Sequence, residues 1–308
     1  MTIAFLFPGQ GTQEVGMGRA LHDASPAARA VFERADRALG FSITALCFEG
    51  PSDKLTLTEN AQPAIVTVSI AALAALREAK PDLENPAFAA GHSLGEYSAL
   101  VASGALAFED AVRLVNLRGR AMQEAVPAGQ GAMAAIMGGD AAAVQALCDE
   151  CAQGEALSPA NFNAPGQVVI SGAAAAVKRA VALAAERKLK AIPLNVSAPF
   201  HCALMAPAAR AVEKALESIP VSPLAFPVVA NVDAAPNRDP ERVRSLLVRQ
   251  IDGPVLFQQS VVTMAEAGVT RALEIGPGKV LAGLVKRTDK RITVQACSDP
   301  DSLASLAV

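Results

Sequence analysis

The chain opens on a short apolar run, Thr2-Ile3-Ala4-Phe5-Leu6-Phe7, halted by Pro8-Gly9, the pattern of a buried strand entering a loop. Apolar positions at helical spacing follow over 26–39 and 63–79. The second segment is so rich in Ala, Ile and Leu that it predicts a helix buried on most sides. Ala87–Gly91 predicts a weak strand that leads through Ser93 into a helix ending at Gly104, a residue suited to a C-terminal cap. Another helix fits 108–125. Strands alternating with helices imply an α/β layer on a mostly parallel sheet.

The middle of the chain has a different rhythm. Gly131–Met137 reads as a strand, 140–152 as a helix, Ala156–Asn161 and Gln167–Ser171 as strands, 173–188 as a helix and Lys190–Val196 as a strand. The order βαββαβ is that of a ferredoxin-like module. From about 199 the α/β pattern resumes, with strands at Pro227–Asn231 and Arg271–Ile275 and helices near 204–217, 239–251, 257–267 and 279–286. The expected organisation is a large α/β subdomain from 1–125 and 199–308, interrupted by a small ferredoxin-like subdomain at 126–198.

Composition narrows the function classes. The 308 residues carry 27 Lys+Arg against 30 Asp+Glu, so no overall charge argues for nucleic acid. The longest uncharged stretches, 156–177 and 191–209, contain Pro, Asn and Ser, unlike a lipid-facing helix. Thr2–Phe7 is too short for a signal peptide and lacks a basic leader, so a cytoplasmic protein is expected. Five scattered cysteines do not suggest a disulfide framework, and Cys148-x-x-Cys151 has no second pair for zinc, so it reads as structural.

Gly91-His92-Ser93-Leu94-Gly95 matches G-x-S-x-G, in which two glycines let a strand turn sharply into a helix and expose the serine hydroxyl. A serine nucleophile needs a base within hydrogen-bond reach, and the chain has only three histidines. His92 is the immediate neighbour and should point away from Ser93, while His22 lies at a polar helix end. His201, in a loop just after the inserted module, is left as the base. No Asp or Glu stands out as the third member of a triad. On the 108–125 helix Arg118 falls roughly 80° from the centre of the apolar stripe, which fits either a structural ion pair or a fork for a substrate carboxylate. Pro8-Gly9-Gln10-Gly11 and Gly276-Pro277-Gly278-Lys279 fit neither a dinucleotide loop nor a phosphate loop, and read as shaped loops at strand ends. There Gln10 can supply a polar group to an oxyanion hole beside the Leu94 N–H.

These segments resemble a known family, the malonyl-CoA:acyl carrier protein transacylases of fatty-acid synthesis. The resemblance is carried by Phe7-Pro8-Gly9-Gln10-Gly11, Gly91–Leu100, Leu117-Arg118-Gly119, Gly131–Ile136, Asn161–Gln167, His201–Met205, Arg249-Gln250 and Glu274–Gly278. It implies an α/β-hydrolase-like large subdomain with a ferredoxin-like small one. It also implies a two-step exchange in which Ser93, with His201 as base, takes malonyl from CoA and passes it to the phosphopantetheine thiol of the carrier. In the family the positions of Gln10 and the Leu94 backbone form the oxyanion hole, that of Arg118 pairs with the malonyl carboxylate, and the backbone at that of Gln250 holds the histidine. Asn163 falls in a matching segment and is taken as substrate-binding.

The resemblance further implies partners of malonyl-CoA and acyl carrier protein, no cofactor, no nucleic acid, no membrane and a monomer. A malonate decarboxylase component, a polyketide acyltransferase or a serine thioesterase would use the same residues. Many family members have Ser just before the histidine where this chain has Phe200. Acyltransferase domains selective for malonyl over methylmalonyl also carry Phe there, so Phe200 is expected to narrow the pocket. Lys178, Arg179, Arg187, Lys188 and Lys190, or Lys286-Arg287 with Lys290-Arg291, are the candidate docking segments for an acidic carrier.

Overall fold

A computed structural model describes residues 2–306. Its strands are β1 (Ile3–Phe7), β2 (Phe88–Gly91), β3 (Gly131–Met137), β4 (Leu157–Ala164), β5 (Gln167–Ala173), β6 (Lys190–Pro193), β7 (Val228–Val229), β8 (Pro236–Asn237), β9 (Arg271–Ile275) and β10 (Thr293–Cys297). They form a six-stranded sheet in the order β10-β9-β1-β2-β7-β8 and a four-stranded sheet in the order β4-β5-β3-β6. The first is parallel except for the β7–β8 pair.

Alternation along the central strand sets the layers of the large sheet. Phe5 and Phe7 face one core with Leu273, Ile275 and the helix Thr58–Ala79, whereas Ala4 and Leu6 face a second with Phe257, Val261 and Leu284. Helices therefore cover both faces, as a buried parallel sheet requires. The four-stranded sheet is antiparallel and covered by helices on one face only, where Ala134, Ile136, Val168 and Ile170 pack on Ala141–Ala152 and Ala174–Glu186. The other face carries Met133, Ala135 and Val169 into the main core. Strand order and the two crossover helices match the βαββαβ expectation.

The helix expected from residue 63 begins five residues earlier, at Thr58, and takes Pro63 inside it. Proline lacks the N–H that would bond the Glu59 carbonyl. Asn116 supplies that bond instead, its Nδ2 donating to the Glu59 oxygen at 2.8 Å. Thr58–Ala79 is long and apolar enough to cross a membrane, but 83% of its most apolar window is buried within the protein.

Strand β6 stops at Pro193, short of the expected Val196, and residues 194–197 leave the sheet to line a cleft. The helix Arg19–Ala24 supplies the polar helix end expected at His22, whereas the edge strands β8 and β10 and the short helices Ile43–Glu49, Ser52–Thr56 and Pro300–Ala304 had no counterpart in the sequence reading.

Candidate active site

The carboxyl ends of β1 and β2 open onto one cleft of about 510 Å³, roofed by Met133, Asn161 and Val169 from the uncovered face of the four-stranded sheet. Clefts at the carboxyl ends of parallel strands are where α/β folds bind ligands. Val255, between the helices Pro240–Asp252 and Phe257–Glu266, bonds the edge strand β4, since its N–H donates to the Ala160 carbonyl and its own carbonyl accepts from the Phe162 N–H.

Ser93 sits at the turn between β2 and the helix Gly95–Ala102, with φ of 49° in the left-handed region. The flanking glycines are required by proximity. A Cβ on Gly91 would lie 2.0 Å from the Gly95 carbonyl carbon, and one on Gly95 would lie 2.0 Å from the Phe7 oxygen. The turn is pinned by Asn231, whose Oδ1 accepts the Ser93 N–H at 2.6 Å and whose Nδ2 donates to the Gly91 carbonyl at 2.7 Å. Those bonds offset the strain of a non-glycine residue at positive φ.

His201 lies 2.7 Å from Ser93, Nε2 to Oγ. On its other side Nδ1 is 2.8 Å from the backbone carbonyl of Gln250. A carbonyl only accepts, so Nδ1 carries the proton and Nε2 presents a lone pair to the serine hydroxyl. A main-chain carbonyl thus occupies the place of an acidic triad member. Burial, reinforced by the nearby Arg118 charge, pushes the His201 imidazole down to about 3, so it is neutral at pH 7.

Arg118 is 1% exposed, deeper than the edge position its helical wheel suggests. Nη1 donates to Gln62 Oε1 at 2.7 Å, and Nη2 donates to Ser93 Oγ and to Gln250 Oε1, both at 3.0 Å. Its guanidinium lies 5.3 Å from the centre of the Tyr97 ring. No ion pair among the described residues involves it, which removes the structural ion pair as its explanation. Burial lowers its pKa from the ordinary value, yet an arginine at pH 7 stays charged. A buried cation whose hydrogen bonds all go to neutral groups, with the Glu96 carboxyl nearby but not bonded to it, leaves this corner of the cleft suited to an anion.

The remaining expected residues also reach the cleft, some in a different guise. The Gln10 side chain lines the cleft and turns to Thr58, Nε2 donating to Oγ1 at 3.2 Å, which engages one of the two N–H groups of its amide. The backbone N–H groups of Gln10 and Leu94 make no hydrogen bond among the described residues. Phe200 lines the cleft and is 9% exposed. Asn163 lines it too, but its Oδ1 accepts from His92 Nε2 at 2.7 Å. His92 borders the cleft as well, with its Nε2 turned to Asn163, and no hydrogen bond among the described residues joins its side chain to Ser93. His22 is remote from these groups, held by Asp23 and packed on Phe32 and Phe48.

Three polar residues went unremarked in the sequence: Gln62, Asn231 and Glu96. Each is at most 2% exposed and hydrogen-bonded to the group around Ser93. A buried Glu one turn after the elbow serine was the one signal on offer. Gln62 and Asn231 lie 31 residues before and 138 after Ser93, and nothing local marks them.

The acyl transferase domain family model matches residues 4–304. A malonyl CoA-acyl carrier protein transacylase of Bacillus subtilis (strain 168) is 48% identical over 303 residues, covering 98% of this chain and 95% of that protein. An acyl carrier protein S-malonyltransferase from Vibrio cholerae superposes with a TM-score of 0.96 at 44% identity, covering 100% of both chains. A malonyl-transacylase solved in complex with its type II PKS acyl-carrier protein gives 0.95 at 44% identity, covering 99% of this chain and 98% of that one. On this family match and these near-complete alignments, the chain belongs to the acyl transferase domain family and, within it, to the malonyl CoA-acyl carrier protein transacylases.

Proposed function

We propose that this protein moves a malonyl group from CoA to the phosphopantetheine thiol of an acyl carrier protein through an ester on Ser93, supplying malonyl units for fatty-acid synthesis. The observation that carries the reading is Arg118, a buried guanidinium with no ion-paired carboxylate among the described residues, 3.0 Å from the serine that would bear the acyl group. Malonyl differs from acetyl by the carboxylate that this guanidinium can pair.

The steps follow from the geometry. Ser93 Oγ attacks the thioester carbonyl carbon as its proton passes to His201 Nε2, and the Gln250 carbonyl supports the imidazolium through Nδ1–H. The Gln10 and Leu94 N–H groups serve as donors to the tetrahedral oxyanion. Collapse breaks the carbon–sulfur bond, and His201 returns the proton to the departing CoA sulfur. The carrier thiol then repeats the sequence in reverse, losing its proton to His201 and leaving Ser93 free. Protons and electron pairs balance without a cofactor. Phe200 is the wall that narrows the acyl pocket, and Asn163 acts by holding His92 at the cleft.

Residues 126–198 are the small subdomain in this reading and 1–125 with 199–308 the large one, the cleft lying between their sheets. A CoA thioester donor and five unpaired, buried cysteines support a cytoplasmic setting. The test is intact mass after exposure to malonyl-CoA and then to holo carrier protein. One malonyl group should appear on the chain, be absent in Ser93→Ala, and move to the carrier. Release of malonate to water at the same rate with and without carrier would replace this reading with a thioesterase.

A further inference from the structure

Glu96 is 2% exposed and takes no part in the chemistry above, yet it bonds the two residues, Gln250 and Asn231, that hold Ser93, His201 and Arg118. It lies in the first turn of the helix Gly95–Ala102, three residues after Ser93. Its Oε2 accepts two hydrogen bonds, from Gln250 Nε2 at 2.8 Å and from the Asn231 backbone N–H at 2.9 Å. Each donor residue also reaches the Ser93 backbone from opposite sides. Gln250 Nε2 donates to the Ser93 carbonyl at 2.9 Å, and Asn231 Oδ1 accepts the Ser93 N–H.

A glutamine amide has one accepting and one donating end, and its orientation is set by what surrounds it. Two acceptors, Glu96 Oε2 and the Ser93 carbonyl, meet at the Gln250 nitrogen. Oε1 must therefore face the other way, and there it accepts from Arg118 Nη2. The same residue's main-chain carbonyl holds His201. Glu96 thus stands at one end of a chain of contacts that terminates on the nucleophile, the imidazole and the guanidinium.

We propose that Glu96 is a positioning residue for acyl transfer: by accepting from Gln250 and Asn231 it fixes the Gln250 amide, and through it holds Arg118 and the Ser93 peptide in register. Both donors reach the same oxygen, so a carboxamide at this position can serve as well as a carboxylate. Removal of the acceptor releases the amide, and Arg118 loses a defined partner on the side facing Ser93.

The inference rests on the transfer reading, which wild-type acylation by malonyl-CoA tests separately. If wild type is not acylated, that reading fails and takes this inference with it. Pre-steady-state acylation by malonyl-CoA and by acetyl-CoA is the decisive measurement on the variants. Glu96→Ala should slow malonyl transfer about 10²-fold, as displacement of reacting groups by an ångström does, and reduce the preference for malonyl over acetyl about tenfold. Glu96→Gln should stay within about threefold of wild type in both. Gln250→Met removes the amide but keeps the backbone carbonyl for His201. It should reproduce the Glu96→Ala losses, and the double variant should lose no more than either alone. Wild-type rates in a folded Glu96→Ala protein would overturn the proposal, as would an equal loss for both acyl groups with preference intact. Should Glu96→Ala fail to fold, Gln250→Met decides: unchanged rate and preference there sink the idea, and parallel loss of both upholds it.

Discussion

An arginine buried against neutral acceptors, as Arg118 is, loses more than its charge when truncated, because Gln62, Gln250 and Ser93 each lose a donor. Arg118→Ala is expected to lower malonyl acylation by about 10²–10⁴-fold while acetyl acylation is retained or rises, measured as kcat/KM with each CoA ester. Equal loss for both would make Arg118 structural. Phe200 makes a steric counterpart: Phe200→Ser should improve methylmalonyl-CoA over malonyl-CoA by about 10–100-fold, the range one methylene controls in a pocket. Unchanged selectivity would remove Phe200 from the selectivity account.

Glu96 adds a pH effect at the same scale. Burial pushes its carboxyl up to about 7, against the lowering pull of the Asn231 N–H and the Gln250 amide, with Asp233 adding to the rise and Arg118 opposing it. The folded protein therefore holds this proton to higher pH than the unfolded chain, whose carboxyl titrates near 4.5. The stability it contributes is complete below that value and is lost as pH rises through 7. Denaturant midpoints should fall from pH 5 to pH 8 in wild type, and the fall should be shallower in Glu96→Gln. Ser93 and His201 were legible because the elbow motif is local and histidines are few. Asn231, Gln62 and Glu96 were not, because a buried hydrogen bond between distant residues leaves no spacing to read.

Among elements, the contact between Phe108–Glu124 and Thr58–Ala79 sets where Arg118 and Gln62 meet. Gly119 permits that approach, since a Cβ there would lie 2.5 Å from the Thr58 oxygen and 2.7 Å from the Glu59 Cα. Those are backbone atoms and cannot swing aside. Thr58 in turn accepts from Gln10 and shares a 2.9 Å hydrogen bond with Ser197, in the loop leading to His201. Gly119→Ala should cost about 1–3 kcal/mol by urea denaturation, in the range of overpacked cores, and should slow acylation as well. A fully stable variant would show that the helices can slide apart. The long periodic elements were legible in the sequence: 26–39, Gly131–Met137 and Arg271–Ile275 fall where the apolar pattern puts them. What was missed has physical reasons. Pro63 reads as a boundary unless one knows that Asn116 caps the carbonyl it frees. Strand β10 lies at a sheet edge, where Thr293, Val294 and Gln295 alternate too weakly to declare a buried face.

For the whole molecule, the decisive question is where an acidic carrier protein meets the cleft, and the structure divides the two basic segments. In the 178–190 segment Arg179 pairs with Glu155 at 2.6 Å and Arg187 pairs with Glu150, acids that its own stretch of sequence does not contain. None of its residues lines the cleft. The helix Val280–Thr288 differs: Val280, Leu281 and Leu284 border the cleft, and the same helix carries Lys286 and Arg287 exposed, with Lys290 exposed just beyond it. A phosphopantetheine arm entering beside Val280 would place its carrier over these charges. Exposed charges act over about a Debye length, roughly 8–10 Å at ordinary salt, so they steer encounter without altering the chemistry at Ser93. Lys286→Glu with Lys290→Glu should therefore raise the KM for carrier protein by about tenfold at low salt, less at high salt, and leave acylation by malonyl-CoA unchanged. The matching reversal of Lys178 and Lys188 should do little. If that second pair weakens carrier transfer and the first does not, the carrier approaches over the helix Ala174–Glu186 instead.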